Sequence, residues 1–595
     1  MTDLPLADTF PAADREAWLD LVEKTLKGAD FEKRLVTTTY DGLRLQPIYG
    51  QSREAALPRK SGAGWAILQR ADMPSIEDAN AQALRDLEAG ASGLTVLVAG
   101  HGGPSGFGVN AATVADFDRL LDGVYLEMIP LRLDAGPKTA EAAAALLGLY
   151  EKRGLDATKA DISLGHDPIG QLALHGAPVN ESPLSAVPAG DAITVFQADG
   201  RTFHNAGASE AQELAGALAS ALTYVRWLEA SGFALDGAVR QVSMVLSVDA
   251  DMFLSAAKLR AARLLWARVQ EAMDLAPQPL KLHAEASWRM LSKRDPHVNL
   301  LRATAATFAA ATAGADSLTM LAFTSAIGLP DRFARRMARN VQLVLGEESR
   351  LGYVSDPAAG SGYMDTMAHE LAAEAWRRFQ KIEEAGGIVA ALSNGSLQAE
   401  IAETRHARAK NIAKRKDALT GVSEFPHLAE SPAEVLAPLE TPTAHPENTL
   451  AACRTAEPFE ALRDAADAAG KRPSVFLANL GPVAAFTARA TWAANVFEAA
   501  GIEALQTDGF DTAQAAAAAF SESGADIAIL CSSDEVYETL GANTAKALSA
   551  AGATHIYLAG RDSDTLAAAG VGTFVYAGCD ILAVLNGAHE LLGVA

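Results

Sequence analysis

Short apolar runs recur along the first half of the chain at residues 64–70, 93–100, 123–130, 161–168, 192–199, 239–249, 279–287 and 317–328. Several of the gaps between them show apolar residues at three- and four-residue steps, as at 76–91 and 139–154, which predicts helices there. The run Leu94-Thr95-Val96-Leu97-Val98-Ala99 is apolar on both faces, as a strand buried in a parallel sheet must be. Eight strand–helix units of this size predict a closed (β/α)8 barrel.

The pattern changes on either side of this block. Residues 1–60 form a helix-rich arm in which Trp18-Leu19, Leu21-Val22 and Leu26 recur at helical spacing. The barrel with its trailing helices, 331–346 and 364–386 among them, occupies 61–400. Residues 401–468 read as a linker, stiffened by the prolines of Leu436-Ala437-Pro438-Leu439-Glu440-Thr441-Pro442. From 469 to 595 alternation restarts with strands expected at 474–479, 502–507, 526–532, 555–559 and 573–577. Five such units predict a doubly wound, flavodoxin-like (Rossmann-type) domain. The fold class is therefore α/β, a barrel followed by a smaller parallel-sheet domain.

Composition narrows the function. With 595 residues, 49% hydrophobic and 21% charged, the chain is globular and multidomain. No apolar run reaches the roughly 18 residues that span a bilayer, and the first residues lack the pattern of a signal peptide. Three scattered cysteines (Cys453, Cys531, Cys579) suit neither a disulfide framework nor a zinc site, so a cytoplasmic location is expected. A net charge of −23 opposes binding to nucleic acid. The one dense basic run, 405–416, is expected to be a helix with a solvated face.

Candidate chemistry is sparse. No Walker A, His-Glu-x-x-His or Gly-x-Ser-x-Gly motif occurs. His101-Gly102-Gly103-Pro104-Ser105-Gly106 follows the second strand, where barrel enzymes place their chemistry. His166, His204 and His283 fall near the same mouth, either as acid–base groups or as hydrogen-bonded structural residues, and the structural role is the expectation. His297 is expected beside a helix start. The loop Asp356-Pro357-Ala358-Ala359-Gly360-Ser361-Gly362-Tyr363 feeds a helix and suits an anion or a tight docking connection equally. After the first strand of the small domain, the place where such domains bind ligands, stands Asn479-Leu480-Gly481-Pro482-Val483-Ala484-Ala485-Phe486. It holds no histidine, no acid and no phosphate cradle.

The stretch from Asp356 to Met364, followed by His369-Glu370-Leu371-Ala372, Ala375-Trp376 and Ile382-Glu383-Glu384-Ala385-Gly386-Gly387, resembles the signature of the adenosylcobalamin-dependent acyl-CoA mutases. Asp295-Pro296-His297-Val298-Asn299-Leu300-Leu301-Arg302 and Ala338-Arg339-Asn340-Val341-Gln342 fit the same pattern, as does the order of domains. The resemblance implies a mutase complex that interconverts methylmalonyl-CoA and succinyl-CoA. It also implies what is missing. Catalytic members coordinate cobalt through Asp-x-His-x-x-Gly, where this chain has Asn479 to Phe486; its single Asp-x-His, Asp295-Pro296-His297, lies in the barrel and ends on Leu300. Gly-Tyr-His after the fifth strand is replaced by Gly200-Arg201-Thr202, with His204 two places late. Lys60 stands where a tyrosine is expected, and Thr324-Ser325 replace Asp-Glu. The chain is thus similar to the small, non-catalytic chains of heterodimeric members, with no catalytic, cofactor-binding or metal residue of its own expected. Adenosylcobalamin and acyl-CoA would sit on a homologous large catalytic chain. Two alternatives remain: a self-sufficient cobalamin mutase with an atypical cofactor site, and an acyl-CoA-binding barrel of other activity.

Overall fold

The computed structural model describes residues 14–52, 57, 64–181, 184, 190, 192–439 and 446–594. Eight parallel strands close a barrel: β1 (Ala66–Ala71), β2 (Gly93–Leu97), β3 (Leu131–Asp134), β4 (Ile162–His166), β5 (Ile193–Asp199), β6 (Val242–Val248), β7 (Lys281–Ala286) and β8 (Ser317–Thr319), with β8 pairing back onto β1. Among the expected strands, 123–130 fails. That stretch is turns, burying Val124 and Leu126 while exposing Tyr125 (71%) and Met128 (76%). The strand begins one residue later, because Pro130 has no N–H to give a ladder and only its carbonyl is used, by Leu94 N at 3.2 Å. The eighth strand is also shorter than 317–328. After Thr319 the chain turns, and Gly328–Pro330 pairs antiparallel with Val435–Pro438 from the stretch read as a linker.

Long helices cover the barrel. α1 (Glu210–Ala230) starts with a capping box: Gln212 N donates to Ser209 Oγ, and Ser209 N donates to Gln212 Oε1 at 2.9 Å. The arm adds a second cap, as Asp41 accepts from Ser209 Oγ at 2.5 Å and from Ala211 N at 3.0 Å. α2 (Met252–Ala272), α3 (Arg332–Leu343) and α4 (Gly362–Glu384) follow. The basic run lies in and just after α5 (Ser396–Ala413), and it is less solvated than expected. Arg408 lies 4.3 Å over the Tyr40 ring and donates to Ala208 O at 3.4 Å, while Arg415 pairs with Glu424 at 2.5 Å and donates to Asn495. A guanidinium can bury its stem and stack its plane, so these arginines tie the arm and the small domain to the helix.

The second sheet contains β9 (Ser474–Asn479), β10 (Glu503–Leu505), β11 (Ile527–Cys531), β12 (His555–Ala559) and β13 (Thr573–Val575), all parallel, in the order β10-β9-β11-β12-β13. This is the flavodoxin-like order, and its ligand crevice lies at the carboxyl ends of β9 and β11, where the connections diverge.

The signature loop at 356–364 has a packing role. Arg260 of α2, 1% exposed, spans Asp356 (2.6 Å) and Asp365 (2.5 Å). Ser361 caps α4, Asp356 also accepts from Leu57 N at 2.8 Å, and a β-carbon at Gly362 would run into the Gly50 carbonyl. The loop therefore docks α4 and the arm. Gly362→Ala is expected to displace the arm from α4, seen as faster proteolysis within residues 14–52 while far-UV circular dichroism stays unchanged.

Candidate functional site

Barrel chemistry belongs at the carboxyl ends of the strands. Here that mouth is filled by charge pairs from the chain itself. Arg201, just after β5, reaches Asp199 at 2.5 Å, Asp134 at 2.8 Å and Glu285 at 3.1 Å. Arg70 holds the other oxygen of Glu285 at 2.7 Å, and Arg132 donates to Gln197 at 2.6 Å, which in turn donates to Asp199 at 3.0 Å. Three guanidinium groups thus stand against three carboxylates. Burial pushes the Glu285 carboxyl up, but Arg70 and Arg201 outweigh it and hold it well below the usual range; Asp134 is held down by Arg201, His101 and Arg132 against the same burial. Burial, with Arg201 nearby, lowers Arg132 to about 10.

The sequence contained a signal for this network. Arg132 and Asp134, Gln197 and Asp199, and His283 and Glu285 are each two residues apart on a strand, so each pair shares one face, turned into the barrel.

The histidines expected at the mouth each contact groups of the chain itself. His101 is 6% exposed, with Nε2 3.1 Å from Phe107 O and Nδ1 accepting from Gly103 N at 3.0 Å. His166 packs against Phe196, whereas His283, expected at the mouth, lies toward the amino-terminal end of the barrel, 2.8 Å from Ser317 Oγ at the first residue of β8 and grouped with Pro130 and Asp161. His204 is fully buried, 3.0 Å from Glu213 and 2.7 Å from Ser287, with Lys258 on the same glutamate at 2.5 Å. Burial, then Arg289 and Lys258, drives the His204 pKa well down, so the ring is neutral. His297 begins a helix and lies over Phe323 at 5.2 Å. Thr324 and Ser325 form a buried turn in which Thr324 O accepts from Ile327 N at 2.8 Å. Lys60 lies outside the described residues.

Asp167 follows β4 beside this network. Burial, reinforced by the charge of Asp199, raises its carboxyl to about 8, and Tyr224 OH bonds to it. A folded pKa above the unfolded value of roughly 3.9 means the native state holds the extra proton, so this group's contribution falls as pH rises from about 4 to about 8. Asp167→Asn keeps the acceptor for Tyr224 and Gly170 and is expected to flatten that slope. Urea midpoints across this pH range check it.

At the crevice of the small sheet the loops bond to one another, while Pro482, Val483 and Ala484 stand exposed beyond them. Leu480 N donates to Cys531 O at 3.0 Å, Ser532 Oγ to Leu480 O at 2.7 Å, Gly481 N to Phe510 O at 2.9 Å and Phe510 N to Asn479 O at 2.8 Å. Asn479, 1% exposed, spends its amide on Thr507 O at 2.8 Å. A β-carbon at Gly509 would stand 2.8 Å from the Phe486 ring. On the far side of β11, Tyr537 OH bridges Leu530 O (3.0 Å), Ala559 O (3.1 Å) and Ser532 N (2.8 Å), with Arg489 5.1 Å over its ring. No imidazole lies between 479 and 486, and the residues present do not fit a corrinoid held through a lower histidine. Among the described residues no cluster of three His, Cys, Asp or Glu side chains is placed to hold a metal, and no helix is long and apolar enough to cross a membrane.

A parallel barrel followed by a 2-1-3-4-5 parallel sheet, with the chain's own groups bonded to one another at the carboxyl end of each, defines a two-domain α/β protein of the barrel-plus-flavodoxin-like class. Comparison with known proteins makes the class particular. The family described as methylmalonyl-CoA mutase matches residues 57–500. A methylmalonyl-CoA mutase small subunit of Streptomyces virginiae is 41% identical, covering 100% of this chain and 99% of that protein. Its counterpart from Propionibacterium freudenreichii subsp. shermanii is 34% identical over 100% and 97%. A protein named methylmalonyl-CoA mutase from Cereibacter sphaeroides is 28% identical over 71% of this chain. The chain belongs to the methylmalonyl-CoA mutase family.

Proposed function

We propose that this chain is the small subunit of a heterodimeric methylmalonyl-CoA mutase and performs no chemistry itself. A homologous large chain would bind adenosylcobalamin and acyl-CoA. That cofactor supplies radical chemistry when bound, and the protein around it orients and shields the substrate. The observation that carries the reading is the crevice after β9, tied by main-chain bonds where a cobalt-binding histidine would be needed. The barrel network around Arg201 supports it, as does the full-length similarity to proteins named small subunits, against partial coverage for one named simply as the mutase.

Within such a complex the chain's contribution is its surface. A subunit that binds only the folded partner raises that partner's stability by mass action, and an obligate interface is large and comparatively apolar. The test is co-expression with the large chain, followed by assay with and without this one, and titration of the purified chain with adenosylcobalamin. The expected results are tight co-purification and no cofactor-dependent absorbance on the isolated chain. Stoichiometric cobalamin binding by the isolated chain would overturn the reading and favour a self-sufficient mutase.

A further inference from the structure

The chain passes between the barrel and the small domain three times. The first passage is α5 itself: Leu397 and Ile401 lie in the barrel core, whereas Ile412 at its far end, with Val422 beyond it, lies in the core of the small sheet. The chain then returns. Val435–Pro438 pairs with Gly328–Pro330, Leu450 N donates to Ala173 O at 2.7 Å, and Cys453 N donates to Asn205 O at 2.8 Å. It leaves again at Ala456, and Phe459 and Leu462 of the helix Glu457–Ala468 enter the small-domain core. A hinge needs a few connecting residues free to absorb a change in backbone angles. Three passages anchored on both sides leave no single connection about which the small domain can swing away.

Rocking in place is what remains, and the loop after β7 opposes it. Glu460, 2% exposed, accepts from Lys293 N at 2.5 Å and pairs with Arg454 at 2.6 Å, and Arg454 donates to Leu291 O at 3.3 Å. Arg294 reaches Asp464 at 2.5 Å and Asp467 at 2.8 Å. Glu430 accepts from Asp295 N at 2.6 Å, where the backbone is held at a left-handed φ of 44° with Gly421 packed against it. The other face of the loop belongs to the barrel. Ser287 Oγ lies 2.7 Å from His204 Nε2, and Arg289 donates to His204 O and Ala208 O, both at 2.8 Å. Tilting the small domain would part buried charges, which costs more than opening an exposed pair. Relative motion is the ordinary expectation for two domains of one chain, and here apolar packing and buried pairs both oppose it.

We propose that the segments 397–439 and 446–468, pinned by the loop at 287–295, form a brace that locks the barrel and the small domain into one rigid body. The carboxyl-end faces of the two sheets then stand at one fixed spacing. The inference stands independently of the subunit reading, because the spacing is measured on the full chain without partner or cofactor.

Double electron–electron resonance makes the measurement. Cys453→Ser and Cys579→Ser remove the partly exposed thiols, Cys531 being buried, and spin labels are carried by Leu301→Cys on the barrel and Glu522→Cys on the small domain, both exposed positions. A single narrow distance distribution is expected. Arg294→Ala combined with Glu460→Gln should broaden it, with far-UV circular dichroism unchanged. Arg294→Ala alone, at a position nearer the surface, should broaden it less and keeps the test open if the double variant fails to fold. A broad or two-peaked distribution in the otherwise unaltered chain overturns the proposal, as does an unchanged distribution in the folded variants.

Discussion

Arg260→Met is expected to destabilise the chain by about 3–5 kcal/mol, the cost of leaving buried carboxylates without their partner. The guanidinium is 1% exposed and forks between Asp356 and Asp365, so its loss strands two acids at once. Asp356 also holds Leu57 N, and Asp365 sits in the first turn of α4, so the arm and α4 should loosen together. The triple variant Arg260→Met, Asp356→Asn, Asp365→Asn removes all three charges and should recover much of the loss. Urea unfolding of wild type, single and triple variants measures both effects. A single variant within about 1 kcal/mol of wild type, the range of an exposed pair, would show that the fork does not hold this junction.

Arg201→Met is the second large effect. It leaves Asp134 and Asp199 without their guanidinium while Glu285 keeps Arg70, with an expected loss of about 3–5 kcal/mol at pH 7. The sign with pH follows from linkage. Asp134 and Glu285 have depressed folded pKa values, so their contribution is present above the unfolded carboxylate range and is lost as pH falls through the folded values. In the variant those carboxyls shift upward, so the gap from wild type should narrow as pH drops from 7 to about 5, where they protonate at less cost. Unfolding at the two pH values tests this. If Arg201 belongs to a frozen structural network, the variant that still assembles should leave the turnover of the complex unchanged. A selective fall in kcat with stability intact would give Arg201 a part in the chemistry.

Much of the architecture was readable in the chain. Ser474–Asn479 and His555–Ala559 lie where alternation placed them, because a strand buried on both faces leaves an unbroken apolar run. The run at 123–130 misled for a related reason: Val124 and Leu126 are buried in turns, and apolar content alone does not distinguish a turn that packs from a strand that pairs. The basic run at 405–416 was helical as expected, but sequence could not show that Tyr40, some 370 positions earlier, would lie under Arg408.

The loop from Asn479 to Phe486 divides along the same line. That it lacks a histidine was legible residue by residue, since a ligand must be present to bind. That Leu480 and Gly481 bond across to Cys531 and Phe510 depended on segments remote in the chain. Likewise the strands declared paired polar residues facing into the barrel, but only their convergence made Arg201 a neutralised hub. Composition and periodicity determine which faces are buried and which residue types are available, because those follow from local geometry. Which charges meet and which loops bond to one another are set by distances between remote segments, and those exist only once the chain has closed on itself.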